Sequence, residues 1–182
     1  MYKWTFFISI ALLFTGCADL KQSEQLDRIR EMEEKLLTLE KKLDAFDVAL
    51  WEQWNEDAEN TTMQLKQLEA DTIPLETALD IDRYKNLKSM LPGVRKGQEN
   101  CSNQVQAIQK RLEKLKNDIE EGNGRRDKYD EFLTMEEKEV ALLEQKFALY
   151  QSTYKELKTE MPKAQERVNT IISERNLSEE VQ

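Results

Sequence analysis

A regular ladder of apolar residues in the C-terminal third of the chain most constrains the fold. Its positions alternate at spacings of three and four, and all are apolar: Val140, Leu143, Phe147, Tyr150, Tyr154, Leu157, Met161, Ala164, Val168 and Ile171. Because only 39% of the chain is hydrophobic, such a run has roughly one chance in ten thousand per frame. It predicts a long helix in left-handed packing. Pro162 lies inside the ladder without shifting its register, so we expect a kink in a continuing helix.

Two shorter ladders precede this one. The first comprises Ile29, Met32, Leu36, Leu39, Leu43, Phe46 and Leu50, and the second Cys101, Val105, Ile108, Leu112, Leu115 and Ile119. Thr72 suits an N-cap and Pro74 a first helical turn, while Gly122 and Gly124 suit the left-handed geometry of a tight turn. These signals predict helices at about 22–71, 74–121 and 125–175, followed by a tail at 177–182.

The composition agrees with long helices. Charged residues make up 35% of the chain, which has 5 Gly and 3 Pro, too few for the turns of a sheet protein. Three helices of similar length with short turns predict an all-α, elongated antiparallel three-helix bundle or coiled coil at 29–176. Leu91-Pro92-Gly93 predicts a break in the second helix. The alternative is a coiled-coil homodimer, because the same ladders would serve a partner strand from a second copy.

The N-terminus has the pattern of a signal peptide. Lys3 precedes an almost wholly apolar stretch at 4–14, which is short for a membrane span, and small residues follow. The sequence Phe14-Thr15-Gly16-Cys17 resembles the lipobox of bacterial lipoproteins, although Phe14 departs from the usual Leu. The alternatives are an ordinary secretory signal or an uncleaved anchor.

The lipoprotein resemblance implies how the chain is processed and where in the cell it is located. It implies a signal peptide at 1–16, cleavage before Cys17, lipid on the Cys17 thiol and a short tether at 17–28. The protein would then be lipid-anchored in the bacterial cell envelope, with the membrane and another envelope protein as partners. Ala18 favours the outer membrane over the inner one, since Asp at that place retains enteric lipoproteins on the inner membrane.

The charge balance and the missing histidines exclude several function classes. The formal charge of −9 argues against nucleic-acid binding. Loss of residues 1–16 would remove Lys3 and no acidic residue, so anionic headgroups should repel the remainder, which we expect to stand off the membrane. With no His, His-based catalytic and metal sites are excluded. We therefore expect a non-enzymatic structural or protein-interaction module without a cofactor.

Counting outward from turns near residues 73 and 123 brings several large side chains to one level of the bundle. They are Trp51, Trp54, Leu91, Pro92, Phe147, Tyr150 and Tyr154. One interpretation is an aromatic notch that holds an apolar ligand or a partner segment; the other is packing around the helix break. The count predicts that Trp54 lies near Tyr154.

Two further features have alternative interpretations. Cys101 could form an intermolecular disulfide in an oxidising compartment, or lie buried, as its ladder position indicates. A basic group occupies the expected distal tip: Lys110, Arg111, Lys114, Lys116, Arg125, Arg126 and Lys128. Acidic residues interleave it, so we expect solvated ion pairs rather than an anion site.

Overall fold

The chain is all-helical in the structure, which is a computed structural model. It describes the backbone of residues 3–68 and 73–180 and the side chains of residues 20–67 and 73–177. The helices are α1 (Lys3–Asp44), α2 (Val48–Leu68), α3 (Leu75–Glu121) and α4 (Tyr129–Glu180), and a 3-10 turn (Arg126–Lys128) precedes α4. No strand occurs within these backbone ranges. The predicted all-α class is confirmed.

The three ladders supply most of the buried surface. Every position of the second ladder is buried, as are the first six of the first ladder, and Leu50 is half-buried. In the third ladder, Tyr154 is half-buried and Ile172 replaces Ile171 as the buried residue. A one-residue shift is expected when a helix of 3.6 residues per turn is compared with a strict repeat of 3.5.

The first predicted helix, at 22–71, is wrong as a single element. The chain leaves helical geometry at residues 45–47 between α1 and α2. Asp47 begins α2 as its N-cap, because its Oδ1 accepts a hydrogen bond from the Leu50 N–H at 2.9 Å. Phe46, only 6% exposed, packs on Tyr154 with ring centroids 4.7 Å apart. The apolar ladder did not predict this break, because Phe46 and Leu50 keep the spacing of the ladder across it.

The predicted break in the second helix is also wrong. Helix α3 continues from Leu75 to Glu121 with Pro92 inside it. A proline removes one backbone donor and strains the preceding turn, at a cost of about 3 kcal/mol. Leu91 beside it is 1% exposed, so burial of its side chain offsets part of that cost. Helix α4 continues through Pro162 as predicted, and the kink there stays a prediction.

The predicted ends of the chain differ from the structure where they can be compared. Residues 20–28, predicted as part of a tether at 17–28, belong to helix α1, and Gln25 is only 5% exposed. Helix α4 continues to Glu180, into the predicted tail. The side chains of the predicted signal peptide and of Cys17 lie outside the described residues.

The helices divide into two compact units. Unit 1 comprises Met1–Asp44 and Cys101–Gln145, and unit 2 comprises Ala45–Asn100 and Lys146–Gln182. The boundary coincides with the break between α1 and α2, while α3 and α4 each contribute to both units. Each unit thus combines segments of three helices.

Candidate functional site

The predicted notch residues lie in unit 2, where Phe147, Tyr150 and Tyr154 form an aromatic core. Trp54 is 7% exposed, Leu91 1%, Phe147 4% and Tyr150 8%. The Tyr150 ring lies 5.8 Å from Phe147 and 6.3 Å from Tyr154, stacked parallel on the latter. This arrangement agrees with the packing interpretation of these rings.

Phe46 belongs to this aromatic core and was missed as a site residue. Its ring lies 6.2 Å from Tyr150 as well as 4.7 Å from Tyr154. The Tyr154 hydroxyl accepts a long hydrogen bond of 3.4 Å from the Asp47 N–H. The position of Phe46 in the first ladder could have identified it as a buried aromatic residue, but the notch prediction did not include it.

Trp51 connects helix α2 to helix α3. Its indole N–H donates a 3.1 Å hydrogen bond to the Leu91 carbonyl, next to Pro92. The Arg95 guanidinium lies 5.9 Å from the Trp51 ring centroid, a distance typical of a cation–π contact. Pro92 itself is exposed.

The predicted pairing of Trp54 with Tyr154 is wrong in register. A contact between Trp54 and Tyr154 would join residues that are 100 positions apart in the sequence. The hydrogen-bonded residues are further apart in sequence: Asp47 and Tyr154 by 107 positions, and Thr61 and Gln165 by 104. The structure instead places Trp54 in a cavity wall with residues 161 and 162 of α4.

The error comes from the assumed turn positions. Helix α2 ends at Leu68 and α3 begins at Leu75, while α3 ends at Glu121 and α4 begins at Tyr129. The two connections therefore centre about two residues from residues 73 and 123, in opposite directions. Because the chain reverses direction at each connection, an error in the centre of a connection shifts the pairing of the flanking helices by twice that error. The two errors together shift the register of α2 against α4 by about seven residues, or two helical turns.

Gly97 permits the close approach of α3 to the aromatic core. A Cβ atom at Gly97 would lie 3.2 Å from Cδ2 of the Tyr150 ring, whereas one at Gly93 would meet no heavy atom within 4 Å. Both glycines lie inside helix α3. Gly97 therefore has a packing role inside a continuous helix.

Unit 2 has an open groove between α2 and α4, which we call the α2–α4 groove. It encloses about 620 Å³. It is lined by Gln53, Trp54, Asp57, Met161, Pro162, Gln165, Glu166, Asn169, Thr170, Ser173, Glu174 and Leu177. Only Trp54 among these was predicted as a site residue. The ladders contained Met161, but locating the groove required the correct register of α2 against α4.

The α2–α4 groove is acidic. Asp57, Glu166 and Glu174 line it, and no Lys or Arg does. Four other cavities, all in unit 1, each contain two cationic side chains. These pairs are Lys21 with Arg28, Lys35 with Lys42, Lys21 with Arg126, and Arg111 with Lys114. The groove is therefore suited to a cationic group carried on an apolar body.

A hydrogen-bonded network underlies one side of the groove. The Tyr84 hydroxyl donates to Gln165 Oε1 at 2.8 Å, and Gln165 Nε2 donates to Thr61 Oγ1 at 2.7 Å. Tyr84 and Thr61 are both buried, and burial raises the pKa of the Tyr84 phenol. The network joins α2, α3 and α4, so it holds Gln165 in a fixed orientation at the groove wall.

Cys101 lies in unit 1 and is 4% exposed. An intermolecular disulfide would require its Sγ to reach the surface, so the geometry agrees with the buried interpretation. The basic group contains the expected ion pairs, which include Arg111 with Glu136, Lys116 with Glu33, Arg125 with Asp127, and Lys128 with Glu131.

Within the side chains that the structure covers, no group of three or more Cys, Asp or Glu is arranged to hold a metal ion. None of the helices, so far as their residues are described, is both long and apolar enough to cross a membrane.

Comparisons with known protein families, with curated proteins and with solved structures find no match to this chain.

Proposed function

We propose that this chain is a lipid-anchored protein of the bacterial cell envelope whose helical region binds another protein and catalyses no reaction. The lipobox-like sequence ending at Cys17 supports the anchor. The α2–α4 groove supports the proposed protein binding, because the Trp54 indole and several carboxylates line it. The partner would present a helix with apolar and cationic side chains.

We further propose that each unit is an antiparallel three-helix bundle packed in the manner of a coiled coil. The buried ladders support this architecture, since each is covered within one chain. Contacts between helices of the same unit also support it, such as the Arg28 hydrogen bonds to Glu137 at 2.7 and 2.8 Å in unit 1. A homodimer would need a further apolar surface, because the ladders are already occupied.

Site-specific photo-crosslinking in intact cells tests the binding role. A photoreactive residue replaces either Gln53, which lines the α2–α4 groove, or Glu59, which lies on another face of α2 and does not line it. We expect a crosslinked envelope protein from position 53 only, and its loss in a Cys17→Ser form. Equal crosslinks from both positions, or none from position 53, would contradict the proposal.

Charge variants on α4 test the partner's chemistry. Glu166→Lys changes the rim of the groove, whereas Glu156→Lys makes the same change at an exposed position outside it. We expect Glu166→Lys to lower the crosslinking yield at position 53 severalfold and Glu156→Lys to leave it unchanged. An equal loss in both would indicate a general charge effect.

A second candidate function is the binding of a small apolar ligand in the same groove. The volume of about 620 Å³ and the Trp54 wall favour it. Titration of a Trp51→Phe variant with dodecyltrimethylammonium would then give a saturable change in Trp54 fluorescence. The absence of saturation, or the same response after Trp54→Phe, would exclude the small-ligand function.

A further inference from the structure

The first residues of α1 whose side chains are described contact the end of α3 in unit 1. Gln22 Nε2 donates hydrogen bonds to the carbonyls of Ile119 at 2.9 Å and Glu120 at 3.3 Å. These carbonyls belong to the last turn of α3, where few backbone donors remain; the Ile119 carbonyl also accepts a 3.3 Å hydrogen bond from the Gly122 N–H. Gln22 therefore acts as a C-terminal cap supplied by another helix.

The same segment is also fixed to the start of α4. Lys21 Nζ lies 2.9 Å from Asp130, and Gln25 Nε2 donates to that carboxylate at 2.7 Å. Hydrogen bonds from Lys21 and then Gln25 hold the pKa of Asp130 below its usual range. Arg28 continues the contact one turn later through Glu137. The segment is thus held on both sides of the α3–α4 turn, which we define as residues 122–128.

The predicted lipid attachment point is close to these contacts along the chain. Gln22 is the fifth residue after Cys17, and five extended residues span at most about 18 Å. The glyceryl group on a lipidated cysteine lies at the membrane surface. The α3–α4 turn must then stay within a similar distance of the headgroups, whatever the conformation of residues 17–19.

We propose that the α3–α4 turn is the face of unit 1 that meets the lipid headgroups. This inference rests on the proposed lipidation of Cys17. It reverses the sequence-based expectation that the basic group at this turn lies at the distal tip and that the protein stands off the membrane. The headgroup layer then covers the turn, so an envelope partner must bind elsewhere.

The charged side chains of the turn include two ion pairs within unit 1. Arg125 and Asp127 are paired, with side chains 70% and 68% exposed, and Lys128 pairs with Glu131. The cations of the turn therefore have acidic neighbours in the same unit, which limits their net attraction to anionic lipid. The lipid on Cys17 supplies the attachment, and the turn lies against the headgroups without inserting into the hydrocarbon.

A depth measurement tests this orientation. A genetically encoded fluorescent amino acid replaces Asn123, an exposed residue of the turn, or Leu142, which is 46% exposed and also in unit 1. Leu142 lies 13 residues after Tyr129 along α4, which places it about 20 Å further along that helix. The full chain is purified from cell membranes and reconstituted into phosphatidylethanolamine/phosphatidylglycerol vesicles that carry a nitroxide on the headgroup.

We expect the nitroxide to quench the probe at position 123 by more than half and the probe at position 142 by less than a tenth. Equal quenching at the two positions, or stronger quenching at 142, overturns the orientation. Mass spectrometry of the same samples shows whether Cys17 carries lipid, which tests the proposed function separately.

If Cys17 carries no lipid, the proposed anchor is wrong but the geometry can still be tested. A maleimide-linked lipid is then attached to the Cys17 thiol in a Cys101→Ala form, with the same probes at positions 123 and 142. The same two results apply: quenching confined to 123 supports the orientation of unit 1 relative to residue 17, and any other pattern overturns it.

Discussion

Gly97 shows how one residue sets the distance between two helices. A Cβ atom added at Gly97 would lie 3.2 Å from the Tyr150 ring, and that ring is held between Phe147 and Tyr154. A methyl group there cannot be accommodated by moving a free side chain, since Tyr150 is only 8% exposed.

The two glycines of α3 form a matched pair for testing this. We expect Gly97→Ala to lower the free energy of unfolding by about 1 kcal/mol, because the clash outweighs the gain in helix propensity. Gly93→Ala should raise it by up to about 1 kcal/mol, since no atom lies near the added methyl group. Urea titration of both variants gives the values, and stabilisation by both would contradict the packing role.

The Arg28–Glu137 pair gives unit 1 a dependence on pH. A hydrogen bond from Arg28 lowers the pKa of Glu137 from its ordinary value near 4.5. A carboxyl group with a lowered pKa in the folded state stabilises the fold above its unfolded pKa, and this contribution is lost as the pH falls through the folded pKa.

Arg28→Gln should therefore destabilise the protein at pH 7 by about 0.5 kcal/mol, a small value because both side chains are partly exposed. At pH 3 the difference from the unmodified chain should fall below half of that. Arg30→Gln is the control, since among the described residues Arg30 pairs with the exposed Asp27 on its own helix. The comparison requires urea titrations at both pH values; an equal loss at pH 3 and pH 7 would show that the charge of Glu137 is irrelevant.

At the scale of elements, the sequence predicted the helices better than their interruptions. Apolar spacing reports which face of a helix is buried, so the ladders located the cores of α1, α3 and α4. It does not report whether the backbone stays helical between two buried positions. Phe46 and Leu50 keep the spacing while Asp47 caps a new helix, and Pro92 interrupts nothing.

The candidate site was predicted in part for a related reason. Counting from the turns placed Trp51, Trp54 and the two tyrosines at one level, and all four lie in unit 2, but Trp54 faces α4 further along, at residues 161 and 162. Which α4 residues face Trp54 depends on the lengths of two connections, and an error of about two residues in each moves the contact by about two helical turns. The groove wall at Met161 and Pro162 could not be found until the helix ends were known.

The N-cap hydrogen bond of Asp47 should by itself stabilise helix α2. Asp47→Ala removes the acceptor for the Leu50 N–H, and we expect a loss of about 1 kcal/mol in the free energy of unfolding. Asp44→Ala is the control at the end of α1, where a carboxylate opposes the helix dipole and its removal should be neutral or slightly stabilising. Thermal unfolding followed by circular dichroism distinguishes the two; equal effects would mean that Asp47 does not act as a cap.

At the scale of the whole molecule, the two cysteines have opposite roles in the account. Cys101 is buried in unit 1 and contributes to packing, whereas Cys17 follows the lipobox-like residues and carries the proposed anchor. The acidic balance of 36 Asp and Glu against 27 Lys and Arg gives no general attraction to an anionic membrane. Membrane attachment should therefore depend on one thiol alone.

Metabolic labelling with an alkyne analogue of palmitate tests this claim most directly. Cells express the full chain, a Cys17→Ser form or a Cys101→Ser form, and the labelled protein is measured together with its share in the membrane fraction. We expect lipid label and membrane association for the unmodified chain and for Cys101→Ser, and the loss of both in Cys17→Ser. Undiminished label in Cys17→Ser, or no label on any of the three, would contradict this claim.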